Sequence, residues 1–212
     1  MAGKIMSPKR RKALGRGQGE KPDMDPFIKP KEAKSSGVAT NIPDATVKKM
    51  KSTLSKGEAA WFMHFRLQPD IEMIQTQKLL DQGDVDRICD EHGKKRLQNL
   101  STDLYVVRKD GTKEAYSIKD CKESVETARA KERIAIETIY WEEKDVKFDL
   151  KFKTDFTFQE IKNYIDIYPS WKCEGHDSCS RIRHAIAVGD ITIDMTKPID
   201  YEAINRDYPG RF

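Results

Sequence analysis

Leu100-Ser101-Thr102-Asp103-Leu104-Tyr105-Val106-Val107, followed at a short distance by Tyr116-Ser117-Ile118-Lys119, decides the reading of this chain. Arg108-Lys109-Asp110-Gly111-Thr112 lies between the two and carries turn residues, so the pair predicts a β-hairpin. A carboxylate then stands at the mouth of one strand and a lysine at the far end of the next. Divalent-metal hydrolysis of a phosphodiester needs oxygen ligands, mostly carboxylates. It also uses a nearby ammonium to orient water or balance growing negative charge. Asp103 and Lys119 can supply one of each. Glu58, on the helix predicted upstream, can supply a second carboxylate, and the carbonyl of Ile118 a further oxygen.

The turn sets a condition on that site. A two-residue Asp110-Gly111 turn would pair Lys109 with Thr112 and set Asp103 opposite Ile118. Asp103 and Lys119 would then lie on different faces. Convergence requires a three- or five-residue loop or a bulge. Asp-Gly flanked by Lys and Thr suits a three-residue loop with glycine left-handed. Spacing alone also allows the plain reading, with Asp103 a strand-end turn residue, Lys119 a surface lysine and Glu58 a helix cap.

Outward from the hairpin, the elements predict a mixed α/β fold. Leu54, Trp61, Phe62, Met63 and Phe65 give an apolar helical face over about 45–66. Ser55 and Glu58 form a capping-box pattern there, and Pro69 ends the helix. Ile71–Gln77 reads as a strand, and 83–96 as a short polar helix or loop with Cys89 packed inward. Ser124–Glu143 reads as the longest helix, with Val125, Ala128, Ala135, Ile136 and Ile139 on its apolar side. Glu132 and Glu137 are placed on its solvated face, with a supporting role behind the metal ligands as the alternative. Val146, Phe148, Leu150 and Phe152 alternate with Lys147, Asp149, Lys151 and Lys153, predicting a strand with one buried face.

Three segments follow: a basic arm and extended loop at 1–44, a catalytic domain at 45–154, and a small accessory domain at 155–212. The accessory segment shows helical patterns at Thr157–Ile167 and Ser178–Val188, then Ile191–Asp194 as a short strand, which together suggest a truncated winged helix. The chain has 212 residues, of which 37% are apolar and 35% charged, so polar arms surround a modest core. Net charge is only +4, but the first 16 residues hold Lys4, Lys9, Arg10, Arg11, Lys12 and Arg16 and no acid. Such an arm suits phosphate contact or stays solvated. No apolar run approaches a membrane span, and no apolar core follows the basic start as in a secretory leader. Cys89, Cys121, Cys173 and Cys179 lack a disulfide-framework spacing, which fits a reducing cytoplasm. Cys173-x-x-His176-x-x-Cys179 offers zinc-type ligands, with His184 the nearest fourth, but reads as a metal-free loop. Trp61, Trp141 and Trp171 read as core.

Taken in order, these motifs resemble TnsA, the endonuclease family of heteromeric cut-and-paste transposons. The pieces are Gly15-Arg16-Gly17-Gln18-Gly19, Ser35-Ser36-Gly37, Leu54-Ser55-x-x-Glu58, Ser101-Thr102-Asp103, Ser117-Ile118-Lys119 and Glu137-x-x-Tyr140-Trp141. The resemblance implies a restriction-endonuclease-like core, with Glu58 and Asp103 as Mg²⁺ ligands (Mn²⁺ substituting) and Lys119 as the catalytic lysine. Ser117 departs from the pattern: restriction-type enzymes carry Glu there and TnsA carries Gln, whereas serine is a poor ligand. The resemblance further implies cutting of the non-transferred strand at transposon ends in the bacterial cytoplasm. The implied partners are DNA, a TnsB-type transposase and a TnsC-type AAA+ ATPase. The short carboxy-terminal part is compatible with CRISPR-associated transposons. A phage or repair nuclease on the same core, or a non-catalytic adaptor in a transposition complex, are the alternatives.

Overall fold

The computed structural model describes residues 6–32, 39–44, 46–171 and 176–212. Its elements in chain order are α1 (Pro8–Ala13), β1 (Thr40–Asp44), β2 (Lys49–Thr53), α2 (Lys56–Arg66), β3 (Ile71–Leu79), α3 (Gln82–Glu91), β4 (Ser101–Arg108) and β5 (Lys113–Lys119). They continue with α4 (Ala128–Glu142), β6 (Lys147–Phe152), α5 (Phe158–Ile167), α6 (Ser178–Ala187) and α7 (Tyr201–Asp207). Strands β3, β4, β5 and β6 form one sheet in that order. The first two pairings are antiparallel and β5–β6 is parallel, with α4 as the crossover. The mixed sheet flanked by helices is therefore as expected.

Alternation along the strands builds two cores. Ile74, Leu104, Val106, Tyr116 and Ile118 pack with Ala59, Phe62 and Phe65 of α2. Met73, Tyr105 and Ala115 pack with Val85, Ile88 and Cys89 of α3 and Ile136, Tyr140 and Trp141 of α4. Neighbouring strand residues thus serve opposite layers, as the pleat demands. Phe65 stacks on Tyr116, and Tyr105 on Trp141, one contact in each layer.

Four expectations are corrected. The helix does not begin near residue 45: Lys49–Thr53 is instead β2, antiparallel to β1. Its partner strand is what makes it a strand, and local periodicity does not see a partner. The amino-terminal part is not loop throughout: among its described residues Pro8–Ala13 is helical and Thr40–Asp44 is a strand. Ser7 caps α1, with Pro8 in its first turn. Beyond it, the chain runs along the free edge of β3, where Leu79 N–H donates to Gly17 O at 2.8 Å and Phe27 N–H to Gln77 O at 3.2 Å. Gly17 has φ +72°, and a Cβ there would meet the Phe27 Cβ at 2.8 Å, so only glycine fits. Covering that edge removes a row of unpaired backbone groups.

The third correction concerns β6. Its alternation is real, yet Phe148, Leu150 and Phe152 are only half-buried. The strand is paired on one side alone, at the sheet's edge. The fourth is the wing. Among the described residues, Ile191–Asp194 pairs with no strand. Ile191 is instead buried against Ile167, Ile182, Ala185 and Ile186. Asp194 Oδ1 accepts the Thr196 N–H at 3.0 Å and turns the chain, and Pro198 has no N–H to offer a ladder. A third helix, α7, follows. Tyr164 and Tyr168 reach back into the α2 layer, where the Tyr164 hydroxyl meets His64 Nδ1 at 2.7 Å. Among the described residues no helix is long and apolar enough to cross a membrane.

Candidate active site

The hairpin loop meets the condition set by the sequence. Val107 pairs with Lys113, and Arg108 N–H donates to Thr112 O at 2.9 Å. The loop is therefore three residues, Lys109 to Gly111. Gly111 has φ +87°, and its N–H donates to Arg108 O at 2.9 Å. This is the bulged loop that a left-handed glycine permits. The register it sets carries Asp103 towards Ser117.

A second irregularity then opens the ladder. Regular β4–β5 pairing ends at Leu104–Tyr116. Beyond that point Ile118 N–H donates to Asp103 Oδ2 at 2.8 Å, so the carboxylate takes the place of a ladder acceptor. On the other side of β4, Thr76 pairs with Leu104 and Lys78 with Thr102, which leaves Gln77 across from Asp103. Gln77 has φ +53°, in the left-handed region. The facing of β4 reverses here. Leu104 packs with α2, yet Thr102 accepts from Trp141 Nε1 of α4 at 2.8 Å. Two residues of one strand would otherwise share a face. Asp103 sits at the reversal.

Lys119 comes in from β5. Its Nζ lies 3.6 Å from Asp103 Oδ2, donates to Ser117 Oγ at 2.6 Å, and reaches Ile118 O at 3.4 Å. Ser117 Oγ in turn lies 3.4 Å from Asp103 Oδ2. In an extended strand the N–H and C=O of one residue project to the same side. The Ile118 carbonyl therefore lies on the side of the Asp103 carboxylate.

Glu58 enters from the first turn of α2. Its N–H donates to Ser55 Oγ at 3.1 Å, as the capping pattern predicts. The return bond differs: Glu58 Oε2 accepts from Leu54 N–H at 2.9 Å, one residue before the cap. That leaves the carboxylate at the sheet's open end. Gln77 Nε2 joins the two acids, donating to Glu58 Oε2 at 3.3 Å and to Asp103 Oδ1 at 3.1 Å. Glu58 is 6% exposed and Asp103 9%. Burial, and then the Asp103 charge, push the Glu58 carboxyl well above the usual carboxylate range. A cation beside the pair would offset the part of that shift that comes from the Asp103 charge.

Mg²⁺ binds oxygen, keeps several waters and needs only one or two protein carboxylates. Glu58 and Asp103, both within reach of one Gln77 nitrogen, fit that donor set, and the Ile118 carbonyl lies alongside. Among the described residues no cluster of three or more acidic, His or Cys side chains could hold a metal. Backbone, water and substrate oxygens would complete the shell.

The remaining predicted residues divide. Glu137 is fully buried, which overturns its placement on a solvated face. It accepts from Arg133 Nε at 2.9 Å and from Thr102 Oγ1 at 3.3 Å, directly behind Asp103. Arg133 also donates to Ser101 O at 2.7 Å. The signal was present: Glu137, Tyr140 and Trp141 fall on one helical face. Glu132 accepts from Lys95 N–H at 3.2 Å, on the surface beside the loop after α3. In the arm, Lys9 and Arg10 are exposed and Lys12 is half-buried. Arg11 and Arg16 are instead buried at 6% and 4% and face Glu32, Arg16 through two hydrogen bonds at 3.1 and 2.7 Å. Gln77 carries no sequence signal of a site role, since its position depends on strand pairing.

Cys173 and the Ser35-Ser36-Gly37 motif lie outside the described residues, as does Lys4. His176 and Cys179 are exposed, and His184 Nδ1 meets Ser170 O at 2.8 Å. Trp61 and Trp141 are buried, as expected.

Comparison with known proteins adds two findings. Residues 68–151 match the model of the TnsA-like endonuclease N-terminal domain, a span that contains Asp103 and Lys119 and begins after Glu58. The chain is also 28% identical over 169 residues to the Transposon Tn7 transposition protein TnsA of Escherichia coli. That alignment takes in 76% of this chain and 60% of the relative, so the chain spans less than two thirds of the relative's length.

Proposed function

We propose that this chain, which is similar to TnsA, is a metal-dependent DNA endonuclease with a restriction-endonuclease-like core. It cuts transposon ends on the non-transferred strand, beside a TnsB-type transposase and a TnsC-type ATPase. The observation that carries the reading is the convergence of Glu58, Asp103 and Lys119 at the open end of β4 and β5, from three separate elements. An adaptor without chemistry gives no reason to bury two carboxylates against each other. A phage or repair nuclease on the same core would share this site; the resemblance to a transposition protein favours transposon ends as substrate.

On this reading Glu58 and Asp103 hold Mg²⁺ (or Mn²⁺), helped by the Ile118 carbonyl. A bound cation supplies charge that polarises the phosphate and acidifies a water. Lys119 stays hydrogen-bonded to Ser117 and places its ammonium beside Asp103, where it orients the attacking water or balances charge on the phosphate. Ser117 contributes by holding Lys119, a task a hydroxyl performs well although it ligates metal poorly. Glu137 and Arg133 fix the strand behind Asp103. Lys9, Arg10 and Lys12 remain available to DNA phosphates, while Arg11 and Arg16 hold the arm in place.

The test is excision with purified transposase and ATPase partners in Mg²⁺ or Mn²⁺. Asp103→Ala and Lys119→Ala are expected to lower cutting of the non-transferred strand by on the order of 100-fold or more. Complex assembly and cutting of the other strand should persist. Undiminished cutting of the non-transferred strand by either variant would sink the assignment.

A further inference from the structure

Gln77 has a place in the site and, so far, no task. A glutamine at φ +53° inside a strand is strained. Its surroundings hold it there. Thr76 and Lys78 are paired on either side, and Phe27 N–H from the amino-terminal segment binds the Gln77 carbonyl at 3.2 Å. The result aims a buried carboxamide, 2% exposed, at both acids of the site.

The other flank of Asp103 lacks a comparable group. Ser117 stands there, and its hydroxyl is occupied by Lys119 at 2.6 Å and Asp103 at 3.4 Å. Two carboxylates leave room in the shell of a hard cation for a further side-chain oxygen, and among the described residues Gln77 is a neutral side chain that touches both acids. Its two ends exchange places by rotation about the last torsion. The NH₂ end suits two negative oxygens; the carbonyl end suits a cation lying between them. Ser101 tolerates either arrangement. Its Oγ lies 3.3 Å from Gln77 Oε1, and a hydroxyl can donate to a carbonyl or accept from an amide.

We propose that Gln77 is a further protein ligand of the divalent cation, through its side-chain carbonyl. It supplies from β3 the oxygen that Ser117 does not supply from β5. This rests on the metal-site reading above. It also explains why the amino-terminal segment is built into the sheet edge, since Phe27 holds the backbone that aims the ligand.

Mn²⁺ binding to the full chain, followed by titration calorimetry, tests it. Gln77→Ala is expected to weaken binding about tenfold, within the range for groups that tune metal sites. Gln77→Gly relieves the left-handed strain while removing the same oxygen, and should weaken binding equally. It serves if the alanine variant fails to fold. Gln77→Glu keeps an oxygen and should bind at least as tightly as wild type. Unchanged or tighter binding in the folded Gly or Ala variant overturns the proposal, as does a Glu variant as weak as Ala. If wild type takes up no Mn²⁺, or Asp103→Asn binds as well as wild type, the metal-site reading itself falls and this inference with it.

Discussion

The two ends of β4 follow different rules. Towards the hairpin, Leu104, Tyr105 and Val106 are fully buried, alternate between two apolar layers, and sit in an unbroken ladder with β5. At the very next residue, Asp103, the strand holds a carboxylate in place of a ladder acceptor, faces a left-handed Gln77, and has fully buried Glu137 behind it. The first end is what a sheet does to lower its free energy. The second gathers charges that disfavour one another and holds them converged through Gln77 and the surrounding pairing. The proposed site thus lies where regular pairing stops, next to an unbroken ladder.

The largest expected effect breaks the comparison outright. Asp103→Ala should lower cutting by on the order of 100- to 1,000-fold, as for loss of a group that stabilises the transition state. Its urea midpoint should stay close to wild type, because the loss of bonds to Ile118 and Gln77 is offset by relief of repulsion with Glu58. Collapse of the fold in that variant would mean the acid is structural. Val106→Ala, at the other end, should do the reverse. Deleting buried methyl groups costs about 2 kcal/mol in urea unfolding and leaves the rate per folded molecule nearly unchanged.

A subtler contrast concerns Glu58. Glutamine at this position keeps the cap hydrogen bond from Leu54 but removes a buried charge. Because burial and Asp103 raise the folded-state pKa, the wild-type carboxyl favours the folded state most at low pH. That contribution is lost as pH rises from the unfolded value through the raised one. Metal-free Glu58→Gln should therefore be about 1 kcal/mol more stable than wild type at mildly alkaline pH, and the difference should shrink below pH 4. Equal stability of the two proteins across that range would show that the acids do not oppose each other.

The smallest effect belongs to the arm. Arg16 holds the Glu32 carboxyl down to about 2. A depressed acid stabilises the fold above its unfolded value near 4.5, and that contribution is lost as pH falls towards 2. Thermal midpoints should show a drop in that window that Glu32→Gln lacks. Detachment of the arm should also loosen Gln77 through Phe27, which joins this measurement to the metal titration.

Much of the molecule was legible in advance, for reasons that differ by element. The hairpin loop was predictable because Asp110-Gly111 restricts the turn, and because the demand that Asp103 and Lys119 meet excluded a two-residue loop. Helix α2 announced its start through Ser55 and Glu58, though its upstream neighbour β2 did not: Lys49–Thr53 has no alternation of its own and is a strand only against β1. The burial of Glu137 was misread because a glutamate on a long helix is usually solvated. Here the i, i+4 relation to Trp141 turned it inward beside Thr102. Arg11 and Arg16 were counted with the free basic residues, since charge composition cannot show that Glu32 folds back onto them.

By itself, the chain determined the candidate residues and most of the element order: two acids and a lysine on a helix and a hairpin, bounded by capping and turn residues that act over three or four positions. Tertiary structure alone decided that β4 and β5 part at Asp103, that Gln77 bends over both acids, and that the amino-terminal segment seals β3. These are outcomes of pairing between residues far apart in the chain. Local patterns carry the period of a strand; they do not carry the identity of the neighbour that interrupts it.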